Sequence, residues 1–133
     1  MTVQLSTALR NSLLDQYEAF IGTSAILKIR SGTQPATPET ADSGTVLVTV
    51  NAPSDWMAAA ASASKAKAGT WQDPSADATG TPGHYRLYAS DGVTCHEQGT
   101  VTLTGGGGDM TLDDMSITAG QVVTITSWTK NWP

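Results

Sequence analysis

The sequence predicts a mainly β domain, an antiparallel β-sandwich of jelly-roll or immunoglobulin-like topology with one amphipathic α-helix at its N-terminus. Short runs rich in Val, Ile, Leu and Thr are separated by Gly, Pro and Asp turns along most of the chain. One stretch near the N-terminus has helical periodicity instead. Because 133 residues suffice for a single hydrophobic core, we expect one domain over 1–133, with the helix over 5–22 and the sandwich over 25–133.

The predicted helix carries an apolar stripe that needs a cover. The stripe consists of Leu5, Leu9, Leu13, Tyr17, Phe20 and Ile21. Ser6 or Thr7 can cap the start of the helix, and Gly22 stands where a glycine commonly ends one. A helix of this length is not stable alone. We expect its stripe to pack over an open end or face of the sheet, or in a groove of a neighbouring subunit.

Residues 84–103 have the pattern of a β-hairpin, around which we expect the sheet to form. Odd-numbered positions are mostly apolar and even-numbered ones mostly polar, as in a sheet with one buried face. A three-residue loop over 90–92 preserves this alternation, and Gly92 can adopt the positive φ that such a loop needs. In this register Leu87 faces Cys95.

The remaining strands are predicted at 26–30, 45–51, 70–72, within 109–117 and at 122–128. The polar stretch 33–43 contains two prolines and is predicted to be an exposed loop. Residues 54–65 are equally compatible with a helix and with extended chain, because alanine favours the helix while the serines and a nearby glycine tolerate the alternative.

Composition and charge argue against several classes of function. The net charge is −5 and the basic residues are scattered, so we expect no nucleic-acid partner. Neither a transmembrane run nor the basic and apolar regions of a signal peptide are recognisable, so we expect no membrane partner. A single cysteine leaves no intrachain disulfide and too few thiolates for structural zinc, which fits folding in the cytoplasm.

No residue set predicts catalysis, a metal ion or a cofactor. Cys95 and His96 are adjacent on a predicted strand and therefore point to opposite faces, so we expect a buried thiol and an exposed imidazole. His84 and His96 would need a carboxylate on the same face to bind a metal. Asp113 and Asp114 lack the spacing of a calcium loop, so we expect turn carboxylates there.

The aromatic residues suggest two kinds of role. We expect a first group to anchor the core or an interface: Trp56, Trp71 and Tyr85. Tyr88 falls on the predicted polar face and is a candidate for contact with an outside partner. Trp132, close to the C-terminus, is either docked or exposed. If Tyr88, Trp128 and Trp132 were coplanar and exposed, they would form a sugar-binding platform.

Local phrases spread over nearly the whole chain are similar to those of a known family. They are the N-terminal helix with 25–30, then 54–58, 69–71, 84–88, 92–96, 108–113 and 120–123. These phrases resemble a family of small virion structural proteins encoded by tailed bacteriophages and prophages. The resemblance implies a non-enzymatic component present in many copies, made in the host bacterial cytoplasm and located in the virion. It leaves open whether the capsid, the neck or the tail is its place.

Our interpretation is a capsid decoration protein that forms homo-oligomers or binds the major capsid or other virion proteins. The N-terminal helix and the 33–43 loop would contact the neighbouring subunits. The candidate contact residues are Leu9, Leu13, Tyr17, Phe20, Tyr88 and Trp132. The alternatives are a carbohydrate-binding β-sandwich module, with a host surface glycan as its ligand, and a small enzyme that uses Cys95.

Overall fold

The computed structural model describes residues 2–132 and confirms a mainly β chain with one N-terminal helix. Within these residues the helix, α1, spans Thr7–Ile21. The strands are β1 Ile26–Ser31, β2 Val46–Asn51, β3 Ser64–Ala66, β4 Trp71–Asp73, β5 Pro82–Tyr88, β6 Cys95–Leu103, β7 Met110–Leu112, β8 Val123–Ile125 and β9 Thr129–Asn131. No helix within 2–132 is long and apolar enough to cross a membrane.

Five strands form the main sheet, in the order β2-β1-β5-β6-β7. Two small sheets pair β3 with β9 and β4 with β8. Of the predicted strand at 122–128 only Val123–Ile125 forms a strand, and β9 lies beyond its predicted end. The pairing of β6 with β7 is parallel, which departs from the purely antiparallel sheet expected. The chain folds back tightly between these strands because Gly105 and Gly107 adopt φ values of 89° and 81°.

A row of aromatic rings runs through the core. It consists of Tyr17, Trp56, Trp71, Trp128 and Tyr85, and successive ring centroids lie 6.1, 5.9, 5.4 and 6.0 Å apart. Trp56, Trp71 and Tyr85 are buried, which confirms the prediction that they anchor the core. The row connects α1 to β5 of the main sheet through Trp56, Trp71 of β4 and Trp128, so these parts share one core.

The β5–β6 hairpin forms, but its predicted register is wrong. Leu87 pairs with Glu97 instead of Cys95, and a bulge follows Leu87. The loop contains four residues, closed by a hydrogen bond from Ala89 N to Thr94 O of 3.0 Å. The Asp91 carboxylate stabilises this longer loop by accepting hydrogen bonds from the backbone of residues 93 and 94. Gly92 does adopt a positive φ, of 70°.

Both faces of β5 are buried, so the expectation of one exposed polar face is wrong. Segment 33–43, predicted to be an exposed loop, lies over that face and is held by Arg86, which donates to two of its carbonyl groups. Asp42 in this segment pairs with Arg86 and Arg30, each at 2.9 Å. It also accepts a 2.7 Å hydrogen bond from Tyr88, whose side chain is fully buried.

The bulge also changes the surroundings of the cysteine and the histidines. Cys95 is half-buried, not buried as expected, and its Sγ lies 3.2 Å from Arg86 Nε. His84 is fully buried, and its Nδ1 lies 2.9 Å from the Gly32 carbonyl oxygen, to which it donates. His96 is half-buried beside Phe20 instead of exposed, with 5.2 Å between the ring centroids. Neither histidine is therefore a hydrogen-bond partner of the Cys95 thiol.

Buried His84 makes the stability of the fold sensitive to acid. Arg30 on β1 and Arg86 on β5 face it, Asp42 of the 33–43 segment is the nearby anion, and uncharged Thr100 lies opposite on β6. Burial, with the charges of both arginines, lowers the pKa of His84 below its ordinary 6.5. Its contribution to stability is therefore complete above pH 6.5 and is lost as the pH falls through the lowered pKa.

We expect the free energy of unfolding of the wild type to fall more steeply below pH 6.5 than that of a His84→Gln variant. Urea denaturation followed by tryptophan fluorescence at a series of pH values measures both slopes. His96→Gln is the matched control, because it removes a histidine and keeps His84. Equal slopes for the wild type and His84→Gln would contradict this account.

Candidate interaction surface

Local sequence signals set both ends of α1. The Ser6 hydroxyl accepts a hydrogen bond of 3.2 Å from Leu9 N, which confirms one of the two predicted caps. Gly22 ends the helix with a φ of 91°, and its N–H donates to the Glu18 carbonyl oxygen at 2.9 Å. The helix therefore presents its faces in a fixed orientation.

The helix docks on the domain largely through polar side chains. Three of them, spaced four and three residues apart, accept hydrogen bonds from backbone N–H groups of the 54–65 segment. These bonds join Ala63 to Asn11 at 2.8 Å, Ala60 to Asp15 at 2.9 Å and Met57 to Glu18 at 3.2 Å. Because the helix provides these acceptors, the segment forms no helix of its own, and its backbone turns at Ser62 and Ala63, whose φ values are 52° and 59°.

Lys65 strengthens this polar docking. Its side chain is 2% exposed, and its Nζ lies 2.8 Å from Asp15 and 2.9 Å from Glu18. The hydrogen bond from Lys65 lowers the pKa of Asp15. Burial alone would lower the pKa of Lys65, but its bonds to the two carboxylates outweigh that effect and raise it. Asp15 and Lys65 therefore stay charged together at neutral pH.

A second polar connection joins α1 to the main sheet at Glu97. The hydroxyl groups of Tyr17 and Tyr85 both donate to this carboxylate, the latter at 2.6 Å. Lys130 Nζ lies 2.7 Å from it and 5.5 Å from the centre of the Tyr17 ring. Tyr17, one of the candidate contact residues, is thus half-buried and bonded within the chain.

The opposite face of α1 is apolar and exposed. Leu9, Leu13 and Phe20 are 46%, 37% and 69% exposed, and exposed Gln16 lies between them. We call these four residues the outer stripe. At about 100° per residue they lie opposite Asn11 and Glu18, two of the side chains that dock the helix. The expectation that the predicted apolar stripe is covered by this chain's own sheet is therefore wrong for its outer members.

The outer stripe carries no charge. The charged residues of α1 are Arg10, Asp15 and Glu18, and none of them belongs to it. Uncharged Ala8, Ser12 and Ala19 are its exposed neighbours on the helix. An uncharged apolar surface of this kind, bordered by polar groups, is typical of a protein contact site.

The predicted sugar-binding platform does not form. Tyr88 is fully buried and Trp128 is 5% exposed, so neither presents a ring face to a ligand. Trp132 is 42% exposed while its backbone N–H donates to the Ala63 carbonyl oxygen at 3.1 Å, so it is both docked and partly accessible. Of the candidate contact residues, Leu9, Leu13, Phe20 and Trp132 present accessible side-chain surface.

Sequence reasoning missed how the helix is oriented, although a signal was present. Asn11, Asp15 and Glu18 share one helical face with Leu14, and this polar face is the one that docks. A segment with few strand partners of its own, such as 54–65, needs acceptors for its backbone N–H groups. From this need, the polar face of α1 could have been predicted to be the one that docks.

Among residues 2–132 no group of three or more His, Cys, Asp or Glu side chains is placed to hold a metal ion. Comparison of the chain with protein-family models, with curated proteins and with solved structures finds no match. The outer stripe is the candidate functional surface because its large apolar side chains are exposed.

Proposed function

We propose that this chain is a non-enzymatic structural protein of a tailed-bacteriophage virion, a capsid decoration protein that binds neighbouring subunits in many copies. The observation that carries the proposal is the orientation of α1, which docks through its polar face and leaves the outer stripe uncovered. The sequence resemblance to small virion proteins supports the same role. A position at the neck or tail is the alternative, and it would use the same surface.

The proposal also takes the fold as a sandwich. The five-stranded sheet would be one layer, and the pairs β3–β9 and β4–β8 the other, with the aromatic row between them. The parallel β6–β7 pair favours neither a jelly roll nor an immunoglobulin-like topology. A rigid layered body of this kind would hold α1 in a fixed orientation toward the neighbouring subunits.

The energetics fit a many-copy assembly. Leaving Leu9, Leu13 and Phe20 exposed forfeits apolar burial of roughly 25 cal/mol for each Å². A contact with a neighbour recovers this free energy. On a symmetric particle each contact can be modest in affinity, because several contacts made at once raise the overall affinity of the subunit for the particle.

A variant with Leu9, Leu13 and Phe20 all replaced by Gln tests the proposal. Glutamine keeps helix propensity, and the three side chains are exposed, so we expect a change in the free energy of unfolding of less than about 1 kcal/mol. Incorporation into particles should fall at least about tenfold, since each 1.4 kcal/mol lost from a contact is tenfold in affinity. Quantitative mass spectrometry of particles assembled with each variant measures the incorporation.

In the matched control, Leu103 and Val122 are replaced by Gln. Their side chains are 51% and 56% exposed, and both residues lie outside α1. We expect the control to be incorporated like the wild type. Equal incorporation of the outer-stripe variant would contradict the proposal. The site of wild-type protein in the particle separates the two positions: a decoration protein binds expanded capsids, whereas a neck or tail protein copurifies with the portal or the tail tube.

A further inference from the structure

We infer that the occupant of the outer stripe is a second copy of this chain, bound through an antiparallel helix pair whose two-fold axis passes between Leu13 and Gln16. The inference rests on the contact surface of the proposed function and names its partner. Three properties of the stripe carry it: its spacing, its charge and the sizes of its side chains.

The spacing of the stripe is the same in both directions along the helix. Leu9, Leu13, Gln16 and Phe20 are separated by four, three and four residues. A two-fold axis through the midpoint therefore places Leu9 opposite the partner copy's Phe20, and Leu13 opposite its Gln16. A self-complementary patch is what an isologous two-fold interface requires.

The charge of the chain favours self-association through this face over other faces. Each copy carries a net charge of −5, so two copies repel when their charged surfaces meet. The outer stripe and its exposed helical neighbours are uncharged, and Asp15 and Glu18 are engaged with Lys65 on the docked side. Pairing by this face therefore brings no like charges into contact.

The side chains at the two ends of the stripe differ in size. In an antiparallel pair the large Phe20 meets the smaller Leu9 at both ends, whereas a parallel pair would set phenylalanine against phenylalanine and leucine against leucine. Large against small side chains fill the space between helices evenly. The antiparallel arrangement also places the opposite ends of the two helix dipoles together.

Disulfide trapping tests both the partner and the direction of the helices. In a Cys95→Ser background, Leu9→Cys and Phe20→Cys variants are purified separately, mixed, and oxidised with glutathione disulfide. Antiparallel helices about 8–10 Å apart bring the two facing Cα atoms within the roughly 4.4–6.8 Å that a disulfide spans. Like positions in the two copies lie about 16 Å apart along the axis, because each residue rises about 1.5 Å.

We expect the mixture to form the Leu9→Cys with Phe20→Cys heterodimer at least about tenfold more than either variant forms a homodimer alone, since only the mixed pair satisfies disulfide geometry. A Val122→Cys variant in the same background is the control for random collision. Homodimers of the separate variants in excess of the mixed product would indicate parallel pairing and overturn the inference. Crosslinking no greater than that of the control would also overturn it.

Light scattering gives a second reading that does not depend on the cysteines. The wild type should change from monomer to dimer as concentration rises, and the outer-stripe glutamine variant should remain monomeric. If particles contain the chain but Leu9→Cys crosslinks only to a different virion protein, this inference fails and the proposed function stands. If the chain dimerises as described but is absent from particles, the proposed function fails and this inference stands.

Discussion

Replacing Glu97 with alanine is expected to lower the free energy of unfolding by about 3 kcal/mol, the lower end of the range for a buried ion pair that loses one partner, because Lys130 is 30% exposed. The Glu97 side chain is 13% exposed and accepts from Tyr17, Tyr85 and Lys130. Without it, two phenol hydroxyl groups and an ammonium group lose their shared acceptor. Because Tyr17 lies on α1 and Lys130 on β9, the loss also loosens both elements from the sheet.

Two controls separate this effect from a change in net charge. Glu97→Gln keeps an acceptor oxygen, so we expect a smaller loss of about 1–2 kcal/mol. Glu39→Ala removes an exposed carboxylate, and a change within about 0.5 kcal/mol is expected. Urea denaturation followed by tryptophan fluorescence measures all three variants. A Glu97→Ala variant as stable as Glu39→Ala would contradict the role given to Glu97.

The contacts of Glu97 with Tyr17 and Tyr85 also determine how stability changes at alkaline pH. Burial, together with the negative charge of Glu97, raises the pKa values of Tyr17 and Tyr85 above their ordinary 10. Both phenols therefore stay protonated donors in the folded chain where unfolded tyrosine begins to ionise. Their contribution to stability is complete below pH 10 and is lost as the pH rises toward the raised pKa values.

Replacing Trp71 with alanine is expected to cost about 3–5 kcal/mol, the range for a large aromatic side chain removed from a core. Trp71 is fully buried, and it stands in the middle of the aromatic row, between Trp56 at 5.9 Å and Trp128 at 5.4 Å. Its indole N–H also donates to the Ala68 carbonyl oxygen at 3.1 Å. The substitution leaves both a cavity and an acceptor without its donor.

Thermal unfolding by circular dichroism measures this loss, with Trp132→Ala as the matched control. Trp132 is 42% exposed and lies outside the aromatic row, so we expect its removal to cost less than about 1 kcal/mol. Trp71→Phe keeps a ring in the row and should fall between the two. If Trp71→Ala and Trp132→Ala lowered the free energy of unfolding equally, the aromatic row would not stabilise the core as described.

The sequence predicts the elements of this fold better than their surroundings. Cap residues and periodicity depend on neighbours in the chain, and so the limits of α1 at Ser6 and Gly22 were predictable. Which face of α1 is docked depends on a distant segment, 54–65, whose backbone N–H groups need acceptors. Apolar periodicity alone assigned the docked face to the outer stripe, because it gives no weight to Asn11, Asp15 and Glu18.

The β5–β6 hairpin shows the same limit. Alternation predicted two strands and the glycine turn, both of which form. It did not predict that segment 33–43 would fold over the polar face, because Arg86 reaches carbonyl groups more than 40 residues away along the chain. Tyr88 is consequently buried, so the expectation of an exposed tyrosine on that face is wrong.

We propose that the outer stripe of α1 is a contact surface between subunits. The test is cryo-electron microscopy of the phage particle that we propose to contain this chain. We expect density for many copies, with Leu9, Leu13 and Phe20 of each copy within about 4.5 Å of a neighbouring subunit, the distance that defines an apolar contact. A reconstruction in which the chain is present and its outer stripe faces solvent would contradict the claim.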